Sequence, residues 1–289
     1  VFGRNTGILN YIGLVLLFFS ITFINIQPLY FKVINGLIAT TVILVFYCLL
    51  QWSGNDPIKW SAFDVFGTLG NVNFLSGFMG FSLTVIFSLA VLGVGKSSHR
   101  VFLAALTLIG LFVTYTTDST QGLVSFAVGI GVLGFFVVRK MRKFIRITYG
   151  ALFISGLVSL IFALFNQGPL KSIIYQATIL FRGDYMHAAI AMMLKKPFTG
   201  VGIDSYDDWY RSERGVISAF RTGLNRTANS AHNVALDLGS GGGFPLFISY
   251  LALMVFVMFS IFRGLKSGLT KDSFFVAIVC GWIAYQVQA

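Results

Sequence analysis

Long uninterrupted apolar runs restrict the fold of this chain more than any other feature. Eight runs approach or reach the roughly 20 residues that cross about 30 Å of hydrocarbon, at 8–27, 31–52, 73–95, 101–117, 121–138, 147–165, 236–262 and 273–289. Only 11% of the 289 residues are charged, against about 25% in soluble domains. Because a backbone in lipid must satisfy its own hydrogen bonds, the runs predict an all-α integral membrane protein, a polytopic helical bundle with about eight transmembrane helices.

Basic residues are concentrated in alternate links between the runs. These links contain 11 of the 21 basic residues and a single acid, Asp272: Lys32, Lys96, Arg100, Arg139, Lys140, Arg142, Lys143, Arg146, Arg263, Lys266 and Lys271. Such a bias is typical of cytoplasmic loops. The first residues, the 53–72 loop, the 116–122 turn and the 166–235 loop are therefore predicted to be extracytoplasmic. The net charge of +11 follows from this topology and does not indicate a nucleic-acid partner.

The predicted organisation is one membrane domain over 1–289, with the large extracytoplasmic loop of 166–235 inserted between spans. The chain starts at Val1 without a signal-peptide pattern and ends within an apolar run, so we expect a fragment of a longer polytopic protein. Trp52 and Trp60 suit the headgroup level, so the 53–72 loop is expected to lie along the membrane.

The large loop contains a helical pattern over residues 172–194. Apolar side chains recur every three or four residues, at Ile174, Ala177, Phe181, Tyr185, Ala189 and Met193. This spacing predicts an amphipathic helix in the membrane interface, ended by Pro197 and followed by a tight turn at Gly200 and Gly202. Residues 204–230 are predicted to be loop with short helix. The glycines of 239–243 interrupt the start of the next span and allow either a break or a close backbone approach.

The same loop holds most of the groups that can do chemistry. His232 directly precedes a span, and a neutral imidazole can take a proton from a hydroxyl; an interfacial histidine that only caps or packs is the alternative. Arg182, Arg211 and Arg214 can bind phosphate oxygens in a bidentate way. The alternative for each arginine is contact with lipid headgroups or pairing with loop acids.

Three acids, Asp204, Asp207 and Asp208, form a D-x-x-D-D cluster. Such a cluster can hold Mg²⁺, but these carboxylates can equally pair with Arg211 and Arg214, and the metal site is the minor alternative. The sequence contains no glycine-rich nucleotide loop, zinc-ligand spacing or G-x-S-x-G elbow. Apart from that minor alternative, no metal and no cofactor are predicted.

Four short motifs, in this order, resemble the O-antigen ligase/polymerase superfamily of bacterial membrane glycosyltransferases. They are GRNTGILNYIG near the start, GTLGNVNFLSGFM at 67–79, KPFTGVG at 196–202 after Arg182, and His232-Asn233 followed by Gly243. The last is similar to that family's H-N-x9-G motif. Together the motifs extend over most of the chain.

The resemblance implies a transferase of cell-surface polysaccharide biosynthesis in the bacterial cytoplasmic membrane. Its donor would be a polyprenyl-pyrophosphate-linked glycan, and its acceptor a hydroxyl of a glycan, lipid or protein at the outer face of the bilayer. Neither metal nor nucleotide sugar would be needed. The resemblance also implies that Arg182 binds the pyrophosphate, that His232 activates the acceptor with Asn233 and Gly243 in support, and that the anomeric carbon is inverted.

One position departs from the pattern of the family's ligases. They carry a second arginine in the short turn where this chain has residues 118–122, and Gln121 stands at the expected position. Glutamine donates hydrogen bonds but brings no charge. Either Arg211 or Arg214 then helps to hold the donor, or the donor differs. A polysaccharide polymerase and a protein O-glycosyltransferase of the same superfamily thus remain alternatives to a ligase.

A transporter or flippase for lipid-linked glycans is the alternative from another class. Transporters place ionisable residues within spans, near the bilayer midplane. The spans of this chain are nearly free of charge, with Asp237 at a span edge as the main exception. This distribution favours an enzyme.

Overall fold

The computed structural model describes residues 8–23, 30–58, 65–175, 177–223, 225 and 227–288. Within these ranges all regular structure is helical. The helices are α1 (Ile8–Phe23), α2 (Tyr30–Trp52), α3 (Val72–Val91), α4 (Ser97–Thr116), α5 (Thr120–Val138), α6 (Lys143–Leu164), α7 (Lys171–Ile174), α8 (Ala177–Lys195), α9 (Tyr206–Glu213), α10 (Val216–Thr222), α11 (Val234–Lys266) and α12 (Ser273–Gln288), with 3₁₀ turns at Gly67–Leu69 and Leu269–Lys271.

The long apolar helices match the predicted runs. Among the described residues, six helices are long and apolar enough to cross a membrane, namely α2, α3, α4, α5, α6 and α11, while α1 and α12 contain shorter apolar stretches. The predicted class, a multi-pass helical membrane protein, is confirmed. Trp60 and residues 3–7 of the first motif lie outside the described ranges.

The chain divides into two compact units. Of the described residues, the loop unit comprises 8–23 and those within 163–260, and the bundle unit comprises those within 30–162 and 261–288. The prediction of a single membrane domain with an inserted loop stays a prediction.

In the bundle unit, α3 is the central helix and packs against α4, α5 and α12. Leu75, Met79, Leu83 and Ile86 of α3 are fully buried. Small residues allow the helices to approach closely, since a Cβ on Gly80 would lie 2.7 Å from the Gly122 carbonyl oxygen. Several buried hydroxyls in these helices donate to carbonyls of the preceding turn, as Thr84 does to Gly80 at 2.7 Å, so their polar groups are satisfied within the helix.

The second motif, residues 67–79, shapes the start of α3. Gly70 adopts a left-handed conformation with φ 68°, and the Asn71 side chain caps α3 by accepting from the N–H groups of Asn73 and Phe74. Ser76 Oγ donates to the Ser119 carbonyl at 2.9 Å and accepts from the Gly122 N–H at 2.8 Å. The motif therefore joins α3 to the turn that precedes α5.

In the loop unit, the predicted helix of 172–194 is two helices. Tyr175 leaves the helical region with φ −78° and ψ 88°, and closes α7 by donating to the Lys171 carbonyl. The predicted apolar face of α8 is real, because Ala189 and Met193 are buried. Its packing partners include α9 and the residues before α11, in a core that contains Ala188, Ala189, Met192, Tyr206, Tyr210, Ala228 and Ala231. The face is thus used for packing within the protein.

Candidate functional site

Helix α11 is broken near its start, as its glycines predict. Gly243 has φ 70° and ψ −168°, outside the helical region, and Pro245 follows two residues later. Residues 245–266 alone have the length of a transmembrane helix. The break therefore separates a short first segment, 234–242, from the spanning segment.

The turn formed by residues 197–202 fills this break through three backbone hydrogen bonds. Val201 N–H donates to Ser240 O at 2.8 Å, Gly202 N–H to Gly241 O at 3.1 Å, and Phe244 N–H to Pro197 O at 2.7 Å. In an unbroken helix, Ser240 and Gly241 would accept from residues 244 and 245. Here the Phe244 donor is diverted and Pro245 has none, so the turn satisfies the carbonyls that the break releases.

Two glycines make this close approach sterically feasible. A Cβ on Gly200, which has φ 63°, would lie 2.4 Å from the Gly241 carbonyl carbon. A Cβ on Gly243 would lie 2.4 Å from Pro197 O, and the backbone angles of Gly243 belong to a region used almost only by glycine. The KPFTGVG motif at 196–202 and the motif that ends at Gly243 thus contact each other at this break.

Hydrogen bonds from backbone N–H groups to two nearby side chains fix the chain on both sides of His232. Asn233 caps α11, since its Oδ1 accepts from Leu236 N–H at 3.1 Å. On the other side, the Asp237 carboxylate accepts from the N–H of the fully buried Ala231. His232 itself takes a left-handed conformation with φ 53°, which is uncommon outside glycine. Its side chain remains exposed at the surface.

Tyrosines of α8 and α9 lie beneath this imidazole. The rings of Tyr185 and His232 are 5.4 Å apart, and the buried Tyr206 donates its hydroxyl to the Tyr185 carbonyl at 2.6 Å. Burial, followed by the neighbouring Tyr210 and Asp237, raises the pKa of Tyr206, so its phenol stays protonated and remains a donor. Sequence reasoning treated Tyr185 only as a packing residue and missed Tyr206. The i, i+4 spacing of Tyr206 and Tyr210 was the available signal.

The charge of Arg182 acts on His232. Arg182 lies one turn before Tyr185 on α8 and is half-buried; burial lowers its pKa, but a guanidinium stays protonated at neutral pH. Loss of hydration and then the charge of Arg182 lower the pKa of His232. Although His232 exposes part of its surface, the surrounding protein and the nearby cation favour its neutral form.

The other two predicted arginines lie on α9 or at its end. Arg214 donates to Gly223 O at 3.1 Å and lies over the Tyr210 ring at 5.7 Å. Arg211 is exposed and forms no ion pair with any described residue. Two loop acids pair with other cations, Glu213 with Lys195 at 2.6 Å and Asp184 with Arg221 at 2.8 Å. No described contact joins Arg211 or Arg214 to His232.

Gln121 belongs to the bundle unit, in the first turn of α5. Its Nε2 donates to the backbone carbonyl of Gln288 at 3.3 Å and to that residue's Oε1 at 3.4 Å. It therefore links α5 to the end of α12. Within the described part of the chain, no group of three or more His, Cys, Asp or Glu side chains is arranged to hold a metal ion, and Asp204, Asp207 and Asp208 form no such group.

Together these features define a multi-pass helical membrane protein in which His232, Asn233 and the 197–202 turn lie at the start of one long helix. The sequence model of a family described as O-Antigen ligase matches residues 103–251, about half of the chain. The match includes Arg182, the 197–202 turn, His232 and Gly243. The chain belongs to the O-antigen ligase family, whose members act in polysaccharide biosynthesis, and the predicted resemblance is confirmed. No curated protein and no solved structure matches the chain significantly.

Proposed function

We propose that the protein transfers a glycan from a polyprenyl-pyrophosphate carrier to an acceptor hydroxyl at the outer face of the cytoplasmic membrane. The observation that carries this proposal is the position of His232, which is fixed at the start of α11 beside Tyr185 and whose pKa is lowered by burial and by the charge of Arg182. A cation and an uncharged imidazole within electrostatic reach of each other suit a reaction in which one site loses a proton and a neighbouring site gains negative charge.

The transfer is a single displacement. His232 accepts the proton of the acceptor hydroxyl while the hydroxyl oxygen forms a bond to the anomeric carbon of the donor sugar. The bond between that carbon and the pyrophosphate oxygen breaks, and the pyrophosphate leaves with the electron pair. Arg182 stabilises the leaving group through bidentate hydrogen bonds. Attack opposite the leaving group inverts the anomeric carbon.

The remaining residues hold or extend this pair. Asn233 and Gly243 position His232, through the cap of α11 and through the break that receives the 197–202 turn. Arg211 and Arg214 supply further cations for phosphate. The acceptor decides between a ligase, a polysaccharide polymerase and a protein O-glycosyltransferase.

Transfer by purified full-length protein tests the proposal. Protein in detergent with EDTA receives a polyprenyl-pyrophosphate glycan and a panel of acceptors, and the wild type is compared with His232→Ala. Because a general base contributes about 10²–10⁴-fold, we expect His232→Ala to lose at least two orders of magnitude in turnover. His187→Ala is the matched control, since His187 is an exposed histidine on α8 of the same unit.

Full turnover in His232→Ala would refute the assigned base. If the wild type moves the lipid-linked glycan across vesicle membranes but forms no covalent product with any acceptor, the protein is a flippase and the transferase proposal fails. The acceptor that is consumed identifies the protein as a ligase, a polysaccharide polymerase or a protein O-glycosyltransferase.

The role of Arg182 is tested by a substitution that keeps the charge. Arg182→Lys should raise the KM for the donor and lower kcat, because an ammonium cannot reproduce two parallel hydrogen bonds to phosphate oxygens. The same change at exposed Arg211 is the control and should have a smaller effect. Equal kinetics for Arg182→Lys and the wild type would exclude bidentate binding by Arg182.

A further inference from the structure

A groove on the bundle unit lies between α2 and α4, and nothing in the proposed reaction uses it. It has a volume of about 400 Å³ and is lined by Asn35, Ile38, Ala39, Val42, Ile43, His99 and Phe102. This volume falls within the roughly 300–1,000 Å³ typical of small-ligand sites. Ile38 belongs to the buried core together with Leu103 and Leu106 of α4, so the floor of the groove is part of the packed structure and is present before any ligand binds.

The two ends of the groove differ in chemistry. Asn35 and His99 lie in the early turns of α2 and α4 and are polar, whereas Val42 and Ile43 lie about two turns further along α2, roughly 11 Å away by helix rise. His99 packs over Gly95, where a Cβ would lie 2.8 Å from the imidazole Cδ2, and beside the Phe102 ring at 6.4 Å. These contacts place the imidazole at the polar end of the groove.

Basic residues occur in the same early turns of α2 and α4 as the polar end of the groove. Lys32 lies one turn before Asn35 on α2, and Lys96 and Arg100 flank His99 at the start of α4. Arg100 is fixed there, because its Nε donates to Ala90 O at 3.0 Å. The sequence has no acid on α2, on α4 or in the 92–96 link. Asp272, which precedes α12 in the same unit, uses its carboxylate to accept from Phe274 N–H at 2.9 Å.

We propose that this groove binds an anionic phospholipid, with an acyl chain along Ile38, Val42 and Phe102 and the phosphate at His99, Lys96 and Lys32. Apolar walls alone would accept any lipid chain. The cations at one end, on helices that themselves carry no acid, select a negatively charged headgroup, as basic pockets between transmembrane helices do. The site is separate from Arg182 and His232 and does not depend on the proposed transfer reaction.

Lipid binding by the purified full-length protein tests this site. Protein in a neutral detergent is titrated with phosphatidylglycerol or with phosphatidylcholine, and bound lipid is counted by native mass spectrometry while thermal unfolding is followed. We expect tighter binding and a higher Tm with phosphatidylglycerol. The double substitution Lys32→Gln and Lys96→Gln should weaken phosphatidylglycerol binding about 30-fold, since each basic residue near a headgroup contributes roughly fivefold.

A second variant tests the groove without changing its charge. Ala39 lines the groove and is exposed on α2, so the variant Ala39→Phe should fold and its ring should fill the groove. We expect this variant to lose the preference for phosphatidylglycerol. Lys140→Gln, in the link between α5 and α6, is the matched control and should bind like the wild type. Equal binding of the two lipids by the wild type, or unchanged binding in both groove variants, would overturn the proposal.

Discussion

At the scale of the residue, hydrogen bonds of its neighbours fix the backbone of His232. Asn233 caps the following helix, and Asp237 returns to accept from Ala231 N–H. These two hydrogen bonds enclose a residue in the left-handed conformation, and such conformations are retained where the surrounding structure determines them. The imidazole is therefore displayed at the surface from a fixed position above Tyr185.

The electrostatics of His232 predict a pH dependence. Burial and Arg182 lower the pKa of His232 from its ordinary value of about 6.5. Protonated imidazole cannot act as a base, so kcat/KM should fall only at a pH below that value. Arg182→Gln removes the positive charge, and the acid limb of the kcat/KM profile should then move to higher pH even though the rate is lower.

Arg211→Gln provides the control for that experiment, because Arg211 does not contribute to the lowered pKa of His232. Its acid limb should coincide with that of the wild type. An acid limb that stays in place in Arg182→Gln would show that Arg182 does not act on the catalytic base.

At the scale of elements, the broken start of α11 and the 197–202 turn depend on each other. The break releases the carbonyls of Ser240 and Gly241, and the turn supplies the N–H groups that bind them. The turn directly follows the end of α8, and α8 carries Arg182. The hydrogen bonds at the break thus fix the C-terminal end of the helix of Arg182 to the helix that begins beside His232.

A single methyl group should disrupt this arrangement. Gly243→Ala places a Cβ 2.4 Å from Pro197 O and forces a backbone conformation that costs a non-glycine residue about 1–3 kcal/mol. We expect a lower thermal unfolding midpoint in detergent and a loss of transfer activity. Both are measured on the purified protein, by thermal unfolding and by the transfer assay.

Gly241→Ala is the matched control for Gly243→Ala. Its Cβ would meet its nearest neighbour at 3.5 Å, an ordinary contact, and its φ is not positive. This variant should keep most of its stability and activity. Equal tolerance of alanine at both positions would mean that the break is not needed in its present geometry.

At the scale of the whole molecule, the charge distribution and the apolar spans predict the same membrane topology. Helix α11 begins next to the polar site and ends at Arg263 and Lys266 in a basic link. Since basic links favour the cytoplasm, the polar site is expected on the opposite side, where the proposed donor and acceptor would meet.

Cysteine labelling tests this topology. Cys48 and Cys280 are buried and free, so an introduced cysteine should dominate labelling by a membrane-impermeant maleimide. Ser212→Cys on α9 should be labelled in intact cells with a permeabilised outer envelope, and Ser267→Cys between α11 and α12 only after lysis; both positions are exposed. The reverse pattern would place the site in the cytoplasm and overturn the proposed outer-face reaction.

The sequence by itself determined the helical membrane class, the approximate extent of the spans, the break near Gly243 and the family. Each of these rests on local information: the length of an apolar run, the conformational freedom of glycine, or a short motif. The single helix predicted over 172–194 failed at Tyr175 because apolar periodicity does not report where a backbone turns.

Only the tertiary structure decided what surrounds His232 and what fills the break in α11. The partners there are distant in sequence, as Tyr185 and Arg182 are from His232, and as the 197–202 turn is from Ser240 and Gly241. Backbone hydrogen bonds carry no residue signature, and a tyrosine that packs only on its own helix face has the same sequence pattern as one that contacts the imidazole of His232. Their pairing becomes determined only when α8, α9 and the start of α11 pack around one core.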